Sequence, residues 1–110
     1  MTNTMLNPIT IFLLLSFLFS KATADFFVSP SGNDASRGTK SRPFRSLERA
    51  QVAVRNVNKK MKSDITVFIA PGTYYLDKPL NFSELDSGYN GHRVIWQAQD
   101  MERGANISGG

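Results

Sequence analysis

Three patterns of apolar spacing divide this 110-residue chain. From Ile9 to Phe19 (ITIFLLLSFLF) the 11 residues are apolar except for Thr10 and Ser16. Later, Leu47, Ala50, Val54, Val57 and Met61 recur at steps of 3, 4, 3 and 4, a single narrow stripe at helical period, with Arg49, Arg55, Asn56, Lys59 and Lys60 off it. Ser46 suits the N-cap and Glu48 the first turn, while Lys59-Lys60-Met61-Lys62 suits the negative pole of the helix dipole, so the helix is expected to stop near Ser63.

After the helix the spacing shortens. Ile65-Thr66-Val67-Phe68-Ile69 is almost continuously apolar and β-branched or aromatic, as in a strand buried on both faces. Ala70-Pro71-Gly72 ends it, Thr73 to Leu76 resumes extended structure, Asp77-Lys78-Pro79 turns, and Leu80-Asn81-Phe82 extends again. Arg93 to Ala98 and a segment from Asn106 are further strands, and Asp25 to Ser29 forms one before the helix. The corners lack Asn-Gly or Asp-Gly and two of them carry Pro, which argues against hairpins. Between the first strand and the helix, Ser29 to Pro43 is a loop rich in Gly, Ser, Asn and Pro.

Val67 and Ile95 stand 28 residues apart, each in an apolar strand followed by a turn, a period in the range of solenoid repeats. The pattern fits a coil of three short strands and three corners, each strand stacking parallel on its equivalent one turn later. Such a stack has an apolar end that must be covered. The Leu47–Met61 helix, lying just before the first coil, suits that role.

Composition narrows the setting. The apolar run at the N-terminus is too short for a bilayer-spanning helix, and Ala22-Thr23-Ala24 after it matches the small-x-small pattern of a signal-peptidase site. Residues 1–24 therefore read as a signal peptide removed before Asp25, giving a secreted, extracellular protein with no membrane anchor after cleavage. Only Lys21 of the 13 basic residues leaves with it, so the net charge falls from +4 to +3. For a secreted chain, acidic glycans rather than nucleic acid are the polyanions to expect. The absence of cysteine excludes disulfide scaffolds, thiol nucleophiles and cysteine metal sites.

The stretch FFVSPSGNDASRGTKSRPFRSLERAQVAVR, then ITVFIAPGTYYLDKPLNF, SELDSGYNGHRVIWQA and NISGG, resembles the N-terminal region of secreted right-handed parallel β-helix repeat proteins of the pectin-lyase-like superfamily. The resemblance spans residues 25–110 and rests on the S-P-x-G-x-D loop, the P-F-x-S-L-x-x-A helix start and the A-P-G-T-Y-Y-L corner, in order. It implies a mainly β fold: an N-terminal capping helix and the first one to two coils of a parallel β-helix, the chain being a fragment or a truncated gene model. It also implies a parent that acts on or binds carbohydrate as a polysaccharide lyase, hydrolase or epimerase, with an active site in later coils. The remaining coils are expected to be needed for stability. The alternative is a non-catalytic extracellular adhesion or structural solenoid.

Candidate chemistry is sparse, and no catalytic, cofactor-binding or metal-binding residue is assigned. Asn33 and Asp34 carry the oxygen ligands calcium needs, but no spaced series of carboxylates completes a cage, so Asp34 is read as accepting backbone N–H bonds in its turn. Calcium in the parent is the one cofactor considered. Gly32 and Gly38 are expected to adopt positive φ. The close carboxylate pairs, Glu84 with Asp86 and Asp100 with Glu102, are read as solvated loop charges rather than a glycosidase pair. His92 has no nameable partner and is placed at a surface or corner. Arg37, Lys40, Arg42 and Arg45, with Arg49 beyond them, form the candidate anionic-glycan contact. Tyr74, Tyr75 and Trp96 could stack on a sugar, although alternation along a strand sends at least one of the tyrosines inward. Asn81 and Asn106 head N-x-Ser sequons and are candidate glycosylation sites.

Overall fold

The computed structural model describes residues 25–109, so the signal-peptide segment 1–24 lies outside the described residues. The elements in order are strand β1 (Phe26–Val28), helix α1 (Leu47–Val57), and strands β2 (Ile65–Ile69), β3 (Gly72–Leu76), β4 (Val94–Ala98) and β5 (Ala105–Gly109). Short 3₁₀ turns occupy Asn58–Lys60 and Glu84–Asp86.

All strand pairings are parallel. One sheet has the order β1-β2-β4 and the other pairs β3 with β5. Consecutive strands therefore alternate between two sheets, and each pairs with an equivalent from a later segment rather than with its sequence neighbour. Hairpins are absent among the described residues, as the corner chemistry predicts. The register corrects the expected spacing by one: Val67 pairs with Trp96, and Ile95 pairs with Thr66. This register aligns Val94, Trp96 and Ala98 with Ile65, Val67 and Ile69, so the apolar positions of the two strands point the same way. A one-residue slip would turn Trp96 to the opposite face.

Two further expectations fail for identifiable reasons. Leu80-Asn81-Phe82 is not a strand, because the Asn81 carbonyl is taken by the Gln51 side chain (2.7 Å) and a 3₁₀ turn begins at Glu84. Each level thus has two strands rather than three. Nor is β2 buried on both faces: Ile65, Val67 and Ile69 are buried while Thr66 and Phe68 are half-exposed. On that outer face the Phe27 and Phe68 rings stack at 5.0 Å.

Helix α1 starts where expected. The Ser46 hydroxyl accepts from the Arg49 amide at 3.1 Å, satisfying one of the unpaired N–H groups of the first turn. Of the predicted stripe, Leu47, Ala50, Val54 and Met61 are buried and Val57 packs at the margin. Four of the eleven core residues (Leu47, Ala50, Ala53 and Val54) come from α1, alongside Val28, Ile65, Val67, Ile69 and Tyr74 from the strands. The fold is therefore a mixed α/β domain with parallel sheets rather than a mainly β one.

The edge of β1 away from β2 is occupied by the loop before the helix. Phe27 donates to the Gly38 carbonyl (2.8 Å) and accepts from the Phe44 amide (2.9 Å), while the Ser29 amide donates to Phe44 (2.8 Å). This close approach explains both glycines. Gly38 has φ +82°, as expected, whereas Gly32 is needed for space, because a Cβ there would overlap the Pro43 and Phe44 carbonyl oxygens.

Candidate functional site

A cleft of about 420 Å³ opens between the 30–47 segment and β3. Pro30, Asp34, Arg45, Ser46 and Leu47 form one wall and Thr73 to Leu76 the other. Alternation along β3 decides what the second wall presents. Tyr74 turns inward and is 4% exposed, whereas Tyr75 is 78% exposed, with Thr73 on its face of the strand. The Tyr74 hydroxyl donates to the Ala70 carbonyl (2.6 Å) and also lies within reach of the Val28 carbonyl (3.2 Å). Burial of the ring pushes its pKa up to about 12 despite the Ala70 hydrogen bond, so Tyr74 is a neutral structural strut. In register beside Thr73 and Tyr75 stand Asn106 and Ser108 of β5, both exposed.

Asp34 ties the first wall together. Its Oδ1 accepts from the Arg45 and Ser46 amides, each at 2.8 Å, and its Oδ2 from the Ser46 hydroxyl at 2.7 Å. Partial desolvation raises its pKa, but the Ser46 and Arg45 hydrogen bonds and the nearby Arg49 charge outweigh that and hold it below the usual carboxylate range. Both oxygens thus serve the helix start. Asp34 does accept backbone N–H bonds, but across to residues 45 and 46 rather than within its own turn, where Asn33 Oδ1 accepts from the Ala35 amide (2.8 Å). The Arg49 guanidinium donates to the Asp34 carbonyl (3.1 Å) and lies over the Phe44 ring at 4.5 Å. Arg49 is therefore committed to the wall, whereas Arg37, Lys40, Arg42 and Arg45 are exposed and take part in none of the ion pairs among the described residues. Of these four, Arg45 lines the cleft, and Arg37, Lys40 and Arg42 lie on or beside the tight turn closed between Thr39 and Arg42.

The carboxylate pairs separate. Asp86 is not a solvated loop charge: its side chain is 3% exposed and accepts from Arg55 Nε (2.6 Å) and Nη2 (2.8 Å), Gln51 Nε2 (3.2 Å) and the Ser83 amide (2.8 Å). The Arg55 hydrogen bonds hold its pKa below the ordinary range against desolvation. Asn58 donates to the Leu85 and Ser87 carbonyls, each at 2.9 Å. Gln51 and Arg55 of α1, with Asn58 in the 3₁₀ turn just after it, thus form a second, polar stripe that grips the 81–87 loop. Their steps of 4 and 3 were available in the sequence as the signal for this stripe. Glu84 is exposed, and Asp100 Oδ1 closes its own turn on the Glu102 (3.0 Å) and Arg103 (3.2 Å) amides.

His92 is half-exposed, with Nδ1 3.9 Å from Asp64 Oδ1. That oxygen accepts from the Arg93 amide at 2.8 Å, which, with the Arg93 side chain, lowers the Asp64 pKa. Trp96 points into the stack, with Phe82 against it edge-on at 5.2 Å, so it offers no platform beside Tyr75. Asn81 and Asn106 are both exposed. Among the described residues no group of three His, Cys, Asp or Glu converges as a metal site, and no helix is long and apolar enough to cross a membrane.

Comparison with known proteins finds one family, one curated relative and two solved structures of similar fold. A family described as a protein of unknown function (DUF1565) matches residues 30–82, which include the first wall of the cleft and β3. The uncharacterized protein YwoF of Bacillus subtilis (strain 168) is 35% identical over 69 residues, 56% of this chain and 13% of that protein. A solved glycoside hydrolase superposes with TM-score 0.60 at 26% identity, over 70% of this chain and 14% of its own. A rhamnogalacturonan lyase superposes with TM-score 0.53 at 24% identity, over 74% and 20% respectively. The fold resembles that of pectin-lyase-like and glycoside hydrolase proteins. The chain spans about an eighth of the curated relative and a fifth or less of the two solved structures.

Proposed function

We propose that residues 25–110 form the N-terminal cap and first coils of a secreted right-handed parallel β-helix protein that acts on polysaccharide as a lyase, hydrolase or epimerase, with its active site in later coils. The observation that carries most weight is the paired parallel register of β2 with β4 and β3 with β5, joined to superposition on a glycoside hydrolase and a rhamnogalacturonan lyase. In this role α1 is the lid over the β1 end of the stack. Arg37, Lys40, Arg42 and Arg45 supply positive potential toward an acidic glycan. Asn81 and Asn106 accept N-glycans in a eukaryotic host.

Incubating the complete protein with uronate-rich and neutral polysaccharides, and measuring new chain ends and unsaturated products, tests the activity. Turnover by the complete protein but not by residues 25–110 is expected. Binding without turnover would favour the adhesion or structural reading, and turnover by residues 25–110 alone would overturn the placement of the active site. Secreted material should begin at Asp25 and lose mass at Asn81 and Asn106 on enzymatic deglycosylation. A mature protein beginning at Met1 would refute the leader.

A further inference from the structure

We infer that the cleft between Arg45 and Tyr75 is a sugar-binding subsite remote from the catalytic coils, taking one pyranose ring that carries a carboxylate. The inference rests on the function proposed above and adds a place and a ligand class to it. The volume, about 420 Å³, is in the range of small-ligand sites. Tyr75, 78% exposed, carries its aromatic ring on a strand whose neighbouring side chain, Tyr74, is locked inward. A pyranose ring stacks on such a ring through its C–H groups. Thr73 sits on the same side of the strand, and its hydroxyl can bond a ring hydroxyl.

The charge balance of the cleft selects the acidic sugar. Of the residues lining the cleft, Arg45 is cationic and Asp34 anionic, and Arg49 is bonded to the Asp34 carbonyl outside the lining. Asp34 spends its carboxylate on the Arg45 and Ser46 amides and the Ser46 hydroxyl, and Arg49 is held by the Asp34 carbonyl and the Phe44 ring. Arg45 is thereby left as the exposed cation on the cleft wall, with its backbone fixed by Asp34. A guanidinium so placed can pair two-pronged with a sugar carboxylate while the ring lies on Tyr75. Beyond the cleft, Ser108 continues the same face of the sheet beside Tyr75 with an exposed hydroxyl for the next sugar of a chain.

Calorimetric titration of the complete protein with a uronate trisaccharide, and with its neutral counterpart, tests the site. Tyr75→Ala and Arg45→Gln should each weaken uronate binding roughly tenfold, or remove one bound trisaccharide per molecule, without moving the unfolding temperature. The neutral sugar should bind more weakly to wild type and be insensitive to Arg45→Gln. Arg37→Gln, Lys40→Gln and Arg42→Gln should have smaller effects because these residues lie outside the cleft. Unchanged affinity and stoichiometry in both cleft variants, while the protein still degrades polysaccharide, would overturn the subsite and leave the proposed function standing. A wild-type protein that neither binds nor degrades any polysaccharide would overturn both.

Discussion

The two ends of the strand stack differ sharply in burial although their backbones are alike. At the β1 end, Val28, Phe44, Leu47, Ala50 and Val54 are almost fully buried, and the outer edge of β1 is bonded to the loop before α1. At the β4–β5 end, β4 is half-buried along most of its length, Ile107 is 51% exposed, and β4 and β5 each pair with one strand among the described residues. Parallel pairing alone thus does not make a core. At the β1 end the core is completed by Leu47, Ala50, Ala53 and Val54 of α1.

The largest effect should come from breaking the covered end. Val54→Asp sets an unpaired charge against the strands at a position with no exposure, and should cost about 4 kcal/mol or more in urea unfolding of the complete protein. Val52→Asp, on the same helix but 50% exposed, should stay within about 0.5 kcal/mol. Equal effects would show that α1 does not depend on the stack.

Next is the polar clamp between α1 and the 81–87 loop. Asp86→Ala leaves both Arg55 hydrogen bonds, the Ser83 amide and one of the two Gln51 bonds without their acceptor and should cost about 3 kcal/mol. The same group predicts acid sensitivity. Its pKa is lower folded than unfolded, so its contribution is complete above the ordinary Asp value near 3.8 and is lost as pH falls through the depressed folded value. Asp86→Asn should flatten that limb of the stability curve, and an unchanged acid limb would remove Asp86 as its cause.

Much of this was legible in the chain. The Leu47–Met61 stripe and the apolar run from Ile65 to Ile69 do mark a helix and a strand, although α1 ends at Val57, short of the expected stop near Ser63, and only alternate residues of β2 are buried. What escaped depended on partners distant in sequence. Asp86 reads as a loop former until Arg55, 31 residues away, closes on it. Leu80–Phe82 has strand-like residues, but its backbone is claimed by Gln51. Because both Ile95 and Trp96 are apolar, the sequence alone does not separate a spacing of 28 from the observed pairing of Val67 with Trp96, and only the neighbouring strand decides which faces inward. The cleft was half visible: Arg45 and Tyr75 were separate candidates, and their meeting is a product of the fold.

The smallest of the predicted losses at a buried position concerns Tyr74. Tyr74→Phe removes a hydroxyl bonded to a backbone carbonyl and should cost about 1 kcal/mol. Because the folded pKa is raised, wild type should lose a contribution as pH climbs from 10.0 to about 12, a loss the variant should lack.

Amide hydrogen exchange in the complete protein tests most directly the claim that the stack continues past β4. The Gln99 amide donates to Ile69, and backbone groups alternate edges along a strand, so the Val94, Trp96 and Ala98 amides face away from β2. If a further coil lies on β4, these three should exchange as slowly as Val67 in the middle of the sheet. Exchange as fast as an exposed loop at Val94, Trp96 and Ala98, with Val67 still protected, would show an edge open to solvent and contradict the solenoid.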